Sequence, residues 1–328
     1  MAQPPLRLGP HVIRPTEQAI FWTERANTVL AFDGAGGGIS ALLAAPDSAL
    51  RIFRHYFANQ DLGRSGVDVA NDVLAALGGY RHPNLYAQLY NERGHDMASG
   101  VPDLLRIHQE AVPVLHAAGV KVAGFAFSTS WPDFESWMFL AANGFGGVDA
   151  IILHEYWAWA GFTIENALHH RQLHQWSPIH PPFIIGECGR DNIQSEGSGD
   201  QAGWKRQGVT PADYVAELND YDGRISEDGY VLGATAFTNG PTPDWSAFDL
   251  DELVGAILGI APPPPPPPPP GGQVTAPILL LIGLVGVAAG LGYLLAQLGG
   301  QEEGGTQVVE AREIDEGEPV PPGWQVVG

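Results

Sequence analysis

Over residues 1 to about 260, short β-rich apolar runs alternate with longer segments of helical period, and this rhythm limits the fold more than any other feature. The runs number eight: His11–Arg14, Thr28–Asp33, Leu50–Phe57, Leu85–Asn91, Val120–Phe127, Ala150–Trp157, Pro182–Cys188 and Val231–Thr238. Between them lie segments such as Val101–Ala118, where Leu104, Leu105, Ile107, Ala111, Val114 and Leu115 recur at helical spacing. Gly119, Gly147 and Pro181 punctuate strand starts. Strict alternation implies a parallel sheet covered by helices, and eight units in roughly 250 residues is the size of a closed (β/α)8 TIM barrel. A doubly wound open sheet is the competing α/β arrangement, but it usually needs fewer strands.

The alternation ends at a Pro/Gly-rich stalk, residues 261–276. Its core, Pro262–Pro270, fixes φ and lacks amide donors, which dictates a polyproline II rod about 28 Å long. A passive linker is the favoured reading and a PxxP ligand the sharper one. Residues 277–298, PILLLIGLVGVAAGLGYLLAQL, carry no charge, and about 20 apolar residues cross a bilayer core. This segment is therefore expected to be a single membrane-spanning helix, with the membrane as partner. Gly286 and Gly290 form a small-xxx-small pair through which two such helices could self-associate. Residues 299–328 read as an acidic disordered tail. Met1–Pro15 has four prolines and no apolar run, so it does not read as a cleavable secretory leader.

A formal net charge of −21 argues against a nucleic-acid partner. The single cysteine, Cys188, excludes an internal disulfide framework and a Cys-based zinc site. Strand alternation points Cys188 away from Glu187, into the layer between sheet and helices. No cofactor or metal is expected. Gly34, Gly36, Gly37 and Gly38 fit neither a Walker loop nor G-x-G-x-x-G, and His154-Glu155 lacks the second His of a zincin. His170 and His174, one helical turn apart without a third ligand, read as a solvated outer face.

In a barrel of this kind the working groups stand at the C-terminal ends of the strands. The third run ends with Arg54 and His55, the fourth with Asn91 and Glu92, the sixth with His154 and Tyr156, and the seventh with Glu187. Glu187 closes the apolar run Phe183-Ile184-Ile185, where an unpaired carboxylate loses several kcal/mol of hydration. It has either a structural partner, such as Arg54 or Arg190, or a task. Glu92 alone would pass for a solvated first-turn charge. Two carboxylates converging on one barrel mouth are what glycoside hydrolysis needs, one to protonate the leaving oxygen and one to attack the anomeric carbon or activate water. Mutual repulsion would raise the pKa of one of them. Trp131, Trp157, Trp159 and Trp245 fall at or beyond strand ends, where they could stack on sugars or simply anchor the rim.

Asn-Glu ending the fourth strand and Glu ending the seventh resemble the signature of clan A retaining glycoside hydrolases, the cellulase-like TIM barrels. The resemblance implies Glu92 as acid/base, Glu187 as nucleophile and Asn91 on the sugar 2-hydroxyl. It also implies a strand-six His154-x-Tyr156 motif at the substrate site, with Tyr156 steadying the nucleophile, and Arg54 near that nucleophile. One departure stands out: Phe237 and Asn239 lie where many members end strand eight with a Trp, and Trp245 is the candidate substitute. The expected function is a membrane-tethered retaining glycosidase acting on a polysaccharide or surface glycan; the side of the membrane stays open, a cell surface or virion being more compatible with that function than the cytoplasm. A non-catalytic carbohydrate-binding or structural barrel is the alternative, favoured if the two carboxyls lie beyond ~10 Å or face opposite sides.

Overall fold

The structure, a computed structural model, describes residues 7–34, 38–157, 162–163, 165–192 and 202–260. The stalk, the 277–298 span with Gly286 and Gly290, the acidic tail, Trp159, Gly36 and Gly37 lie outside the described residues. Among those described, no helix is long and apolar enough to cross a membrane.

Eight parallel strands close into a barrel in sequence order: β1 (Leu8–Val12), β2 (Thr28–Phe32), β3 (Leu50–Arg54), β4 (Leu85–Gln88), β5 (Lys121–Phe127), β6 (Ala150–Trp157), β7 (Phe183–Arg190) and β8 (Val231–Asn239). Helices follow the strands: α1 (Glu17–Thr23), α2 (Gly38–Ala44), α3 (Gly66–Leu77), α4 (Val101–Ala117), α5 (Phe134–Ala142), α6 (His169–Trp176), α7 (Pro211–Ser226) and α8 (Val254–Ile257). The TIM barrel is as the alternation requires. Only β1 begins well before the run that marks it, because Leu8, Gly9 and Pro10 pair with Ala234, Thr235 and Ala236 of β8 to close the sheet.

Two apolar layers hold the barrel. Leu30, Ile52, Tyr86, Ala123, Ile152 and Ile184 fill its interior. The alternate residues, among them Val29, Phe53, Ile151, Leu153, Ile185 and Cys188, pack outward against the buried stripes of the helices. Side-chain caps start several helices, such as Thr16 accepting from the Ala19 amide and Asp133 from the Ser136 amide. Cys188 is buried in the outer layer, as its strand position requires, and burial pushes its thiol well up.

Closure between β1 and β2 leaves no room for a side chain at Gly9. A Cβ there would stand 1.7 Å from the Thr28 carbonyl oxygen, which is backbone and cannot rotate away. Gly9→Ala is expected to cost about 3 kcal/mol or more. An unchanged urea midpoint would refute this account of the seam.

His170 departs from the expected solvated face. It is buried at the start of α6, with its ring between Glu155 and Asp228, while His174 bonds His180 instead (Nδ1 to Nε2, 2.9 Å). Helical spacing marked the pair correctly as neighbours, but α6 turns His170 toward the outward-facing side of β6.

Candidate active site

The C-terminal ends of the strands surround a cleft of about 580 Å³ whose lining includes Arg54, Asn91, Glu92, Tyr156, Glu187 and Trp245. Local backbone sets the aim of its two central carboxyls. Simple alternation from the inward Ile184 would turn Glu187 outward. A register shift between Ile185 and Cys188 inserts a residue, so Glu187 faces the cleft while Cys188 stays outside. Glu92 follows β4 in the left-handed region (φ 52°), with its amide donating to the Ala126 carbonyl (3.0 Å). A non-glycine residue held there costs of order 1–3 kcal/mol, a pattern that gathers at functional sites.

The two carboxylates meet over His154. An oxygen from Glu92, one from Glu187 and a ring nitrogen of His154 all lie within 4.8 Å of one another. His154 Nδ1 is 2.8 Å from Glu92 Oε1 and 3.4 Å from Glu187 Oε2. Glu187 is only 6 % exposed. Its Oε1 accepts from the Arg54 guanidinium, and its Oε2 accepts from the Tyr156 hydroxyl at 2.6 Å. Of the two partners open to Glu187, Arg54 takes the role; Arg190 pairs with Glu217 behind the barrel (2.6 Å). Gln88 Nε2 donates to Asn91 Oδ1 (2.9 Å), leaving the Asn91 amide group to donate into the cleft.

The electrostatics correct one expectation. Mutual repulsion was to raise one carboxyl, yet both are held below the ordinary carboxylate range. Burial pushes Glu187 up, but the charges of His154 and Arg54 outweigh it. Burial likewise pushes Glu92 up, and the hydrogen bond and charge of His154, with Arg54 and His95, outweigh that. The Glu92 side chain is 41 % exposed, open to whatever fills the cleft although walled in around its base.

The tryptophans divide. Trp245 lines the cleft, edge-on to Phe237 with ring centroids 5.4 Å apart. Trp157 does not: it is buried outside the barrel wall against Phe162 and Tyr221, and its Nε1 donates to Glu217 (2.9 Å). Tyr156 faces inward, so its strand neighbour must face out. Trp131 stacks on His95 (5.7 Å) and is absent from the cleft lining.

Several lining residues carried no clear sequence signal. His11, Gln60 and Asp191 reach the cleft from β1, the loop after β3 and the end of β7. His55, which lines it too, is oriented by Asp33, whose Oδ2 lies 2.5 Å from Nδ1. Inward alternation on β1 would have flagged His11; nothing local flags Gln60, whose side-chain oxygen accepts from the Asn91 backbone N–H across the loop.

Glu92, His154 and Glu187 are the one group among the described residues with the reach to hold a metal ion. The chemistry of the set suits proton transfer better. Both oxygens of Glu187 already accept from Arg54 and Tyr156, and a cation would sit against the guanidinium.

No protein-family model matches the chain, and no curated protein sequence matches it. Solved structures share its fold. A glucosidase from Croceicoccus marinus superposes with a TM-score of 0.50 at 11 % identity, over 76 % of this chain and 62 % of that one. An endo-β-1,3-glucanase from Amycolatopsis mediterranei gives 0.47 at 16 % identity, over 77 % of this chain and 99 % of that one. A β-glucuronidase from Bacteroides uniformis gives 0.45 at 15 % identity over 71 % of this chain, which spans 30 % of that enzyme's length. At 11 % identity the likeness to the Croceicoccus glucosidase speaks for the fold alone.

Proposed function

We propose that the chain is a retaining glycoside hydrolase of the clan A type, cleaving O-glycosidic bonds of a polysaccharide or surface glycan. The observation that carries this reading is the pair Glu92 and Glu187, facing one cleft with carboxylate oxygens within 4.8 Å. Retention calls for carboxyl groups ~5–5.5 Å apart, whereas inversion needs ~6.5–9.5 Å to admit a water. The same closeness and shared orientation speak against the non-catalytic alternative.

In the first step a Glu187 oxygen attacks the anomeric carbon as its bond to the leaving oxygen breaks, and Glu92 passes a proton to that oxygen. In the second, water adds to the anomeric carbon, Glu92 takes its proton, and Glu187 leaves as a carboxylate. Arg54 and Tyr156 hold Glu187 ionised and aimed, which a nucleophile requires. The acid step needs Glu92 protonated. A sugar that fills the cleft expels water and strengthens the burial that pushes Glu92 up.

The 277–298 run, charge-free and about 20 residues long, supports a membrane tether for the barrel, on the side where glycans are found. A panel of 2-deoxy-2-fluoroglycosyl fluorides tests the chemistry. Intact-mass analysis is expected to show one sugar added, and peptide mapping to locate it on Glu187. Labelling at another carboxylate would move the nucleophile, and no labelling by any sugar, together with no turnover, would remove the reading.

A further inference from the structure

The charge of the cleft is one-sided. Among the described residues four carboxyls line it, from Glu92, Glu187, Asp191 and Asp244, against one guanidinium, Arg54, which is bonded to Glu187. Asp191 stands four residues beyond Glu187 at the end of β7, and Asp244 lies exposed in the turn after β8. A second, independent observation shows the cleft to be built for a polar ligand. His11 is 1 % exposed, lines the cleft, and has no partner for either ring nitrogen. Its ring stacks on Phe237 (centroids 5.0 Å apart), and burial pushes its pKa down to about 3, so the imidazole is neutral and offers one donor and one acceptor. A buried polar group left unpaired costs about 1–3 kcal/mol, which a ligand hydroxyl would recover.

We propose that the cleft takes a glycan bearing free protonated amino groups, a hexosamine oligomer without N-acetyl caps, with Asp191 and Asp244 receiving its ammonium groups. This rests on the glycosidase reading for turnover but not for binding. Burial and the charges of Glu92 and Glu187 push Asp191 up to about 6, so a nearby ammonium relieves a repulsion already present. Trp245 and Tyr56, both exposed on the lining, add aromatic surface that favours a cation. An ammonium close to the reacting carbon would oppose the positive charge that develops there, and the additional carboxylates offset that opposition. A uronate, by contrast, would meet like charge from Asp191 and Asp244 as well as from Glu92 and Glu187.

Binding and turnover are measured separately on the full 328-residue chain. Thio-linked tetramers of glucosamine, N-acetylglucosamine, glucose and galacturonate, which resist cleavage, are titrated calorimetrically. The glucosamine tetramer is expected to bind about tenfold or more tightly than the others, with the advantage shrinking as salt screens it. Asp191→Asn and Asp244→Asn should each reduce that advantage. The exposed Asp244 keeps the test available if the Asp191 variant fails to fold. Equal or tighter binding of the neutral, acetylated or uronate tetramer, binding of none of them, or a preference untouched by the Asp244 variant would overturn the proposal. Preferential binding of the glucosamine tetramer without turnover of any O-linked tetramer, and without labelling by any fluorosugar, would remove the glycosidase reading and leave this one standing. Equal cleavage of neutral and amino tetramers would do the reverse.

Discussion

Glu187→Gln is expected to lower kcat on an O-glycoside by about 10⁴-fold or more, because an amide cannot supply the nucleophile. The shape of the substitution matters here. Gln keeps the volume, and its single carbonyl oxygen can still accept from Arg54 while its amide donates to the Tyr156 hydroxyl, so loss of activity with an unchanged circular dichroism spectrum isolates chemistry from folding. Glu92→Gln should differ in kind. With an alkyl leaving group, loss of the acid costs about 10²–10⁴-fold. With a dinitrophenyl leaving group, which departs without a proton, the first step should be nearly spared and a burst of dinitrophenol should precede slow turnover. Equal losses with both leaving groups would deny Glu92 the acid role. Near-normal rates for Glu187→Gln would remove Glu187 from the chemistry altogether.

Glu155→Ala is expected to cost about 3–5 kcal/mol of stability, the scale for removing one member of a buried ion network. Glu155 lies between His154 and Tyr156 on β6 but faces outward, fully buried. It accepts from the His170 amide (2.7 Å), the His170 ring (2.8 Å) and the Tyr221 hydroxyl (2.7 Å). The other His170 nitrogen meets Asp228 (3.0 Å), which Arg171 also holds (2.8 Å). Burial pulls the His170 pKa down, but Glu155 and Asp228 together raise it to about 9. That is above the value of ~6.5 for an unfolded histidine, so its stabilisation is full below about pH 6.5 and fades as pH rises through 9. Urea midpoints of the parent should therefore fall across that window, and Glu155→Ala should flatten the fall. Parallel pH profiles would show that the network does not hold the proton assigned to it.

That network also shows where a sequence stops being legible. Glu155, His170, Tyr221 and Asp228 come from four separate stretches, and no local pattern announces their meeting. His170 therefore read as a solvated residue until α6 was seen to turn it inward. Trp157 is the opposite case: period-two alternation after the inward Tyr156 already places it outside the barrel wall, away from the rim. Glu187 could not be aimed from alternation at all, because the shift between Ile185 and Cys188 breaks the period. Asp191 and Gln60 sit in loops, where no periodicity exists to say which way a side chain points.

The sequence by itself determined the barrel, since apolar period and strand–helix alternation are local properties that each segment carries alone. It also marked Glu92 and Glu187, because a charge at the end of an apolar run is conspicuous in one dimension. Only the tertiary structure decided that these carboxyls share His154, that Arg54 rather than Arg190 holds Glu187, and that both titrate low. It also decided that Asp191 and Asp244, from two further loops, gather on the same cleft. Charge interactions act through space and fall with distance, so they answer to where residues stand in the fold and not to their order along the chain.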